Sequence, residues 1–130
     1  MDPLFIEHTK VTPRIEFDEA KKTYKIGGRS IPADATVFYL QADKWAEKFA
    51  GSYAGKEMTF DIKLDHLNTG SVRSILSILS KLLKMESRGI TVNVNWHYES
   101  EDDDIRDKGE EMSLILEHKF NYIPYKEFSF

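Results

Sequence analysis

The chain has no cysteine. Disulfides and thiolate-held metals are thereby excluded, and a reducing compartment suits the composition. Glycine and proline are scarce, seven and four respectively, while hydrophobic residues reach 41%. That excludes a disordered or fibrous chain and indicates one globular domain with a real core over residues 1–130. Positive charge does not dominate: 18 Lys and Arg stand against 22 Asp and Glu, a formal charge of −4. Nucleic acid selects for a basic face, so it is not expected as a partner. No apolar run approaches the ~18 residues of a membrane helix. The opening M-D-P-L-F-I-E-H-T-K has neither the basic start nor the apolar core of a signal peptide. A cytoplasmic protein that does not engage membranes is the expectation. Catalytic signatures are missing too: there is no Walker-type glycine loop, no G-x-S-x-G elbow and no H-E-x-x-H. No cofactor or metal is expected, and the chain is read as non-enzymatic.

What is present centres on Asp65–Ser71, D-H-L-N-T-G-S. Before it, Met58, Phe60, Ile62 and Leu64 alternate with Thr59, Asp61, Lys63 and Asp65, the period of a strand with one buried face. After it, Val72, Ile75, Leu76, Leu79, Leu82 and Leu83 recur at helical spacing. The stretch is therefore a strand-to-helix turn. Asn68, Thr69 and Ser71 are all suitable N-caps, and Gly70 permits a tight turn. On local pattern alone this is a well-made cap. The same position can also accept a phosphate, because a helix N-terminus offers unpaired N–H groups and the positive end of a dipole.

Taken in order, residues 1–10 read as a mobile arm. Arg14–Asp18 and Thr23–Ile26 read as a hairpin ended by Gly27-Gly28. In G-R-S-I-P-A-D, Pro32 breaks regular structure and Asp34 offers a cap for a first helix to about Ala50, with Phe38, Ala42, Trp45, Ala46 and Phe49 as its apolar stripe. On the helix after the turn, Arg73, Ser77, Lys81 and Lys84 share an outer, solvated face. Ile90–Tyr98 is a strand with Val92, Val94 and Trp96 on one side and Asn93, Asn95 and His97 on the other. Glu99–Glu111 carries eight carboxylates and opens a third helix whose middle Gly109 weakens. Asp102-Asp103-Asp104 reads as a charge-stabilised helix start, with a partner-docking surface or a metal site as sharper alternatives. It lacks the alternating ligands of a calcium loop, so calcium is discounted. A last strand spans about Lys119–Ile123. The order β-β-α-β-α-β-α-β predicts an α/β fold of two layers: a mixed, mostly parallel sheet with helices packed mainly on one face and a polar opposite face open to solvent.

L-N-T-G-S before a long apolar helix, then V-N-V-N-W-H-Y-E-S-E-D-D-D-I-R-D-K-G-E-E, with G-R-S-I-P-A-D and V-T-P upstream, resembles the SiaC-like family of bacterial regulatory phosphoproteins. The resemblance runs from about Val11 to Tyr122. It implies a partner-switching protein of STAS-like architecture. A histidine-kinase-like ATPase phosphorylates a threonine in the strand-to-helix turn, and a metal-dependent serine/threonine phosphatase removes the phosphate. The phosphorylation state then selects an output partner, a diguanylate cyclase in the best-known system. That threonine falls on Thr69. The family usually reads N-T-S-S, so Gly70 is a departure and Ser71 is the remaining rival acceptor. Asp65, Asn68, Gly70, Ser71 and Arg73 form the surroundings. Two other readings stand beside it: a constitutive scaffold that binds a partner through the polar sheet face, and a small hydrolase using His66 as base for Thr69.

Overall fold

Six strands build one sheet in which spatial order repeats chain order. The computed structural model describes residues 1–130. The strands are β1 (Leu4–Ile6), β2 (Arg14–Asp18), β3 (Thr23–Ser30), β4 (Glu57–Leu67), β5 (Thr91–Glu99) and β6 (Asn121–Tyr125). β1, β2 and β3 pair antiparallel, and β3 to β6 pair parallel. The three parallel crossovers hold α1 (Ala35–Ser52), α2 (Thr69–Leu83) and α3 (Asp103–Leu116). Right-handed crossovers between successive neighbours put all three helices on one face. The α/β class, the mixed sheet and the one-sided helical layer are as the sequence predicts.

The alternation in β4 and β5 sorts as expected. Met58, Phe60, Ile62, Leu64, Val92, Val94 and Trp96 are buried beneath the helices in a single hydrophobic cluster of 25 residues. α2 contributes Ile75, Ile78, Leu79 and Leu82 to that cluster. In α1 the buried stripe is Ala35, Tyr39, Ala42, Ala46 and Phe49. Phe38 and Trp45 are only half-buried at its margin, because the stripe turns toward α2 with small residues where the helices approach.

Several expectations change. The arm expected over 1–10 contains a strand: Leu4–Ile6 pairs with Ile15–Phe17, and Trp45 Nε1 donates to the Asp2 carbonyl at 2.8 Å. Gly27-Gly28 does not end β3, which runs on to Ser30. Gly28, at φ 114°, supplies a register shift before Arg29, a conformation glycine adopts without strain. β6 lies two residues later than predicted and includes Pro124, which an edge strand tolerates because its missing N–H has no ladder partner to lose. Ser77 and Lys81 do not face solvent freely; both bond Asp43 of α1. Gly109 is not a weak point in α3. It is buried against the face of Trp96, which donates from Nε1 to the Ile105 carbonyl at 2.9 Å.

The outer face of the sheet is polar. Asp61 accepts from Asn95 at 3.1 Å and pairs with His97 Nε2 at 2.8 Å. Burial works against ionisation of Asp61, but the bonds from His97 and Asn95 outweigh it and hold the carboxyl below its usual range. That face is not fully open, since residues 125–130 fold back across part of it.

Candidate functional site

Because β3 to β6 run parallel, the N-termini of α1, α2 and α3 share the sheet edge at the strands' carboxyl ends, where α/β folds collect their functional groups. The turn from β4 into α2 sits in the middle of that edge. Of the three possible caps, Asn68 takes the role. Its backbone is extended, and its side-chain oxygen accepts from Ser71 N at 2.9 Å. Its Nδ2 donates to the Pro32 carbonyl at 3.0 Å, and its N–H donates to the Ser30 carbonyl at 3.0 Å. One asparagine thus fastens the turn to the β3–α1 connection.

Thr69 is the first residue of α2 and is exposed. Ser71, two residues on, is wholly buried. Its hydroxyl donates to the Ser30 carbonyl at 3.1 Å and accepts from the Ser30 hydroxyl at 2.7 Å. Ser30 Oγ lies 2.6 Å from the Tyr39 hydroxyl. With Ser30 donating to Ser71, the remaining proton order is fixed: Tyr39 donates to Ser30. Burial pushes the Tyr39 phenol well above its ordinary value, and its bonds with Ser30 and Ser71 oppose this only in part. Three hydroxyls from β3, α1 and α2 therefore form a buried floor under the turn. Nothing in the sequence marks Ser30 and Tyr39 beyond the break at G-R-S-I-P-A-D. Gly70 also has a physical reason. A Cβ there would lie 3.1 Å from Ala35 Cβ, so the glycine lets α2 begin close against α1.

Around Thr69 the predicted neighbours separate. Asp65 is half-buried and pairs with exposed His66 at 3.3 Å. No hydrogen bond joins His66 to Thr69, so the base–nucleophile arrangement of the hydrolase reading is not formed. Arg73 is exposed one turn along α2, on the same helical face as Thr69. It lines a groove between α1 and α2 of about 190 Å³, with Thr36, Tyr39, Leu40, Asp43, Ser74 and Ser77. Along the same edge, Asp102 caps α3 by accepting from Ile105 N at 3.0 Å, while Asp103 and Asp104 are exposed in its first turn. Asp65 and Asp102 both lie near Tyr125; burial first, then these carboxylates and Glu99, push its phenol up to about 12. Asp65 of the turn and Asp102 of the acidic helix start thus converge on Tyr125. No group of three or more His, Asp or Glu side chains is placed to hold a metal ion, and no helix is long and apolar enough to cross a membrane.

Known proteins share this fold. The crystal structure of apo-SiaC from Pseudomonas aeruginosa superposes with a TM-score of 0.82 at 26% identity, covering 95% of this chain and 99% of that one. A chain in the crystal structure of the diguanylate cyclase SiaD in complex with its activator SiaC, also from Pseudomonas aeruginosa, superposes at 0.84 with 25% identity over 94% and 99%. An uncharacterised Pseudomonas aeruginosa protein is 28% identical over 111 residues, 85% of this chain and 87% of its own length. The family model described as SiaC family regulatory phosphoprotein matches residues 6–125, and the chain belongs to that family.

Proposed function

We propose that this protein is the switching component of a partner-switching system, with Thr69 as the reversibly phosphorylated residue. A histidine-kinase-like ATPase adds the phosphate and a metal-dependent serine/threonine phosphatase removes it. The observation that carries the reading is the contrast within the turn: Thr69 is exposed, whereas Ser71 is wholly buried and bonded to Ser30. A kinase can reach the first without opening the fold and cannot reach the second. The free N–H groups of the first helical turn offset part of the added charge, by about 0.3–1 kcal/mol at an exposed site.

The output partner is a protein of the diguanylate cyclase type, as the complexed relative suggests, and it binds the unmodified form. The turn shares its edge with Asp65, Asp102, Asp103 and Asp104. A phosphothreonine adds about −1.5 to −2 charges there. A partner that buries a neutral Thr69 against this edge cannot bury the dianion without a counter-charge. Each 1.4 kcal/mol of that penalty is tenfold in affinity. Fragment mass spectrometry after incubation with the cognate kinase and ATP tests the acceptor: phosphorylation of Thr69→Ala at the rate of the unmodified chain rejects Thr69. Calorimetric titration of the output partner tests the switch. Equal affinity of the two forms ends it, and tighter binding by the phosphorylated form reverses its sign.

A further inference from the structure

We infer that the outer sheet face around Gly27 is a peptide-binding site, occupied in cis by residues 125–130 of this chain, and that its occupant in trans is a partner's segment carrying two aromatic residues separated by one. The site lies on the face opposite the helices and does not rest on the reading of Thr69. Lys25 Nζ donates to the Phe130 carbonyl at 2.9 Å, and Lys63 Nζ donates to the Ser129 carbonyl at 2.6 Å. Lys63 Nζ also stands 4.7 Å from the Tyr125 ring centre and 5.2 Å from that of Phe128. The Arg14 guanidinium lies 5.7 Å from the Phe130 ring, and His8 packs on that ring at 4.5 Å. The rings of Phe128 and Phe130 meet edge to face at 5.0 Å.

The seat is shaped for a ring. A Cβ at Gly28 would press to 3.2 Å from the Phe130 ring and one at Gly27 would touch it at 3.4 Å, so the ring rests directly against the backbone of this pair. The grips are generic as well as specific. Lysines that read main-chain carbonyls, and cations that read ring faces, bind any aromatic-x-aromatic strand and not this sequence alone. The segment is held shallowly. Neither Phe128 nor Phe130 joins the hydrophobic core, and Phe130 stays 38% exposed. A strap built for stability would bury its rings. This one covers Arg14 and Lys25, which line one depression with Glu16, Gly27 and Phe130, and Lys63, which lies under Tyr125 and Phe128. Burial and the nearness of Lys25 both lower the pKa of Lys63.

The test uses the full chain, labelled with ¹⁵N, and a synthetic peptide of residues 124–130 as the probe. In Phe128→Ala/Phe130→Ala the peptide should shift the amides of Lys25, Gly27, Gly28 and Lys63 and saturate at millimolar concentration. Wild type should bind at least tenfold more weakly, because its own segment competes. Adding Lys25→Ala/Lys63→Ala, or replacing both phenylalanines of the peptide, should abolish the shifts. Absence of shifts in the folded double variant, or equal binding by wild type, overturns the inference. Concentration-dependent dimerisation of wild type through exchanged segments overturns the partner-peptide occupant. A second variant covers a failure to fold: Gly27→Val fills the seat, and backbone relaxation should show residues 126–130 released while the sheet is unchanged. A segment that stays ordered in Gly27→Val overturns the cis occupancy.

Discussion

Replacing Gly109 by alanine sets two rules of helix stability against each other. By propensity alone the change should help α3, since alanine is favoured over glycine in a helix interior by about 1 kcal/mol. The packing opposes it. An added Cβ would lie 2.5 Å from Trp96 Nε1, 2.6 Å from Cδ1 and 2.7 Å from Cε2. Carbon contacts are comfortable at roughly 3.5–4.0 Å, so three ring atoms are overlapped at once. Trp96 has no exposed surface. Either the indole swings or α3 lifts, and both strain the bond from Nε1 to the Ile105 carbonyl. Overpacking costs about 1–3 kcal/mol. A buried donor left without its acceptor costs about 1–3 kcal/mol more. Against the propensity gain, the net expectation is a destabilisation of about 3 kcal/mol. Urea unfolding followed by tryptophan fluorescence and far-UV circular dichroism reads this directly. With a slope of about 2 kcal/mol/M the midpoint should fall by about 1.5 M. Trp96→Phe combined with Gly109→Ala should couple by at least about 0.5 kcal/mol, because the smaller ring vacates the contested space. A midpoint equal to or above wild type for Gly109→Ala would refute the packing argument and leave propensity in command.

Three further outcomes follow from the turn and the outer face. Asn68→Ala removes the cap to Ser71 N and the bond to the Pro32 carbonyl, and should cost about 1–2 kcal/mol in the same denaturation assay; no loss would mean another residue caps α2. Ser71→Asp buries a charge in the hydroxyl floor and should abolish cooperative unfolding, whereas Thr69→Asp should stay within about 1 kcal/mol of wild type; equal stability of the two variants would contradict the exposure contrast. The Asp61 carboxyl titrates below its usual range, so its bonds to His97 and Asn95 add stability above about pH 4, where the unfolded group ionises, and that contribution is lost as pH falls through the folded value. The stability gap between wild type and Asp61→Asn should therefore be widest near pH 7 and narrow toward pH 3, and a gap independent of pH would show that Asp61 gains nothing from its ionised form.

Strands β4 and β5 were legible because their alternation is long and one face is wholly apolar. The N-terminus of α2 was legible because L-N-T-G-S places cap chemistry between two clear periods. Which of its residues caps was not, since Asn68, Thr69 and Ser71 have similar local preferences. The decision comes from Ser30, 41 residues from Ser71, whose hydroxyl and carbonyl claim Ser71 for the interior. β1 has no signature in the sequence because three residues are too few to show a period, and its stability comes from pairing with β2. Gly27-Gly28 looked like an end of strand because glycine usually punctuates, yet here it makes a bulge and a ring seat. Gly109 looked weak because propensity cannot report Trp96. The cover on the outer face rests on single contacts such as Lys25 with Phe130, 105 residues apart, and isolated distant pairs leave no pattern in sequence.

The sheet's order has a consequence for how the protein is made. Every hydrogen-bonded strand pair is also a pair of successive strands in the chain, so a nascent strand finds its partner already emerged from the ribosome. Assembly can proceed by adding one strand and one crossover at a time to the newest edge, without waiting for a distant segment to close a long loop. Ser30 and Tyr39 are translated before the turn they support. The α2 entrance can thus be set while β5 and β6 are still being synthesised. The vulnerable interval is the one in which β4 is the newest edge, its backbone donors and acceptors exposed until β5 arrives. Residues 126–130 can dock only once β3 and β4 have paired, because Lys25 and Lys63 hold them, so the outer face stays uncovered until they emerge.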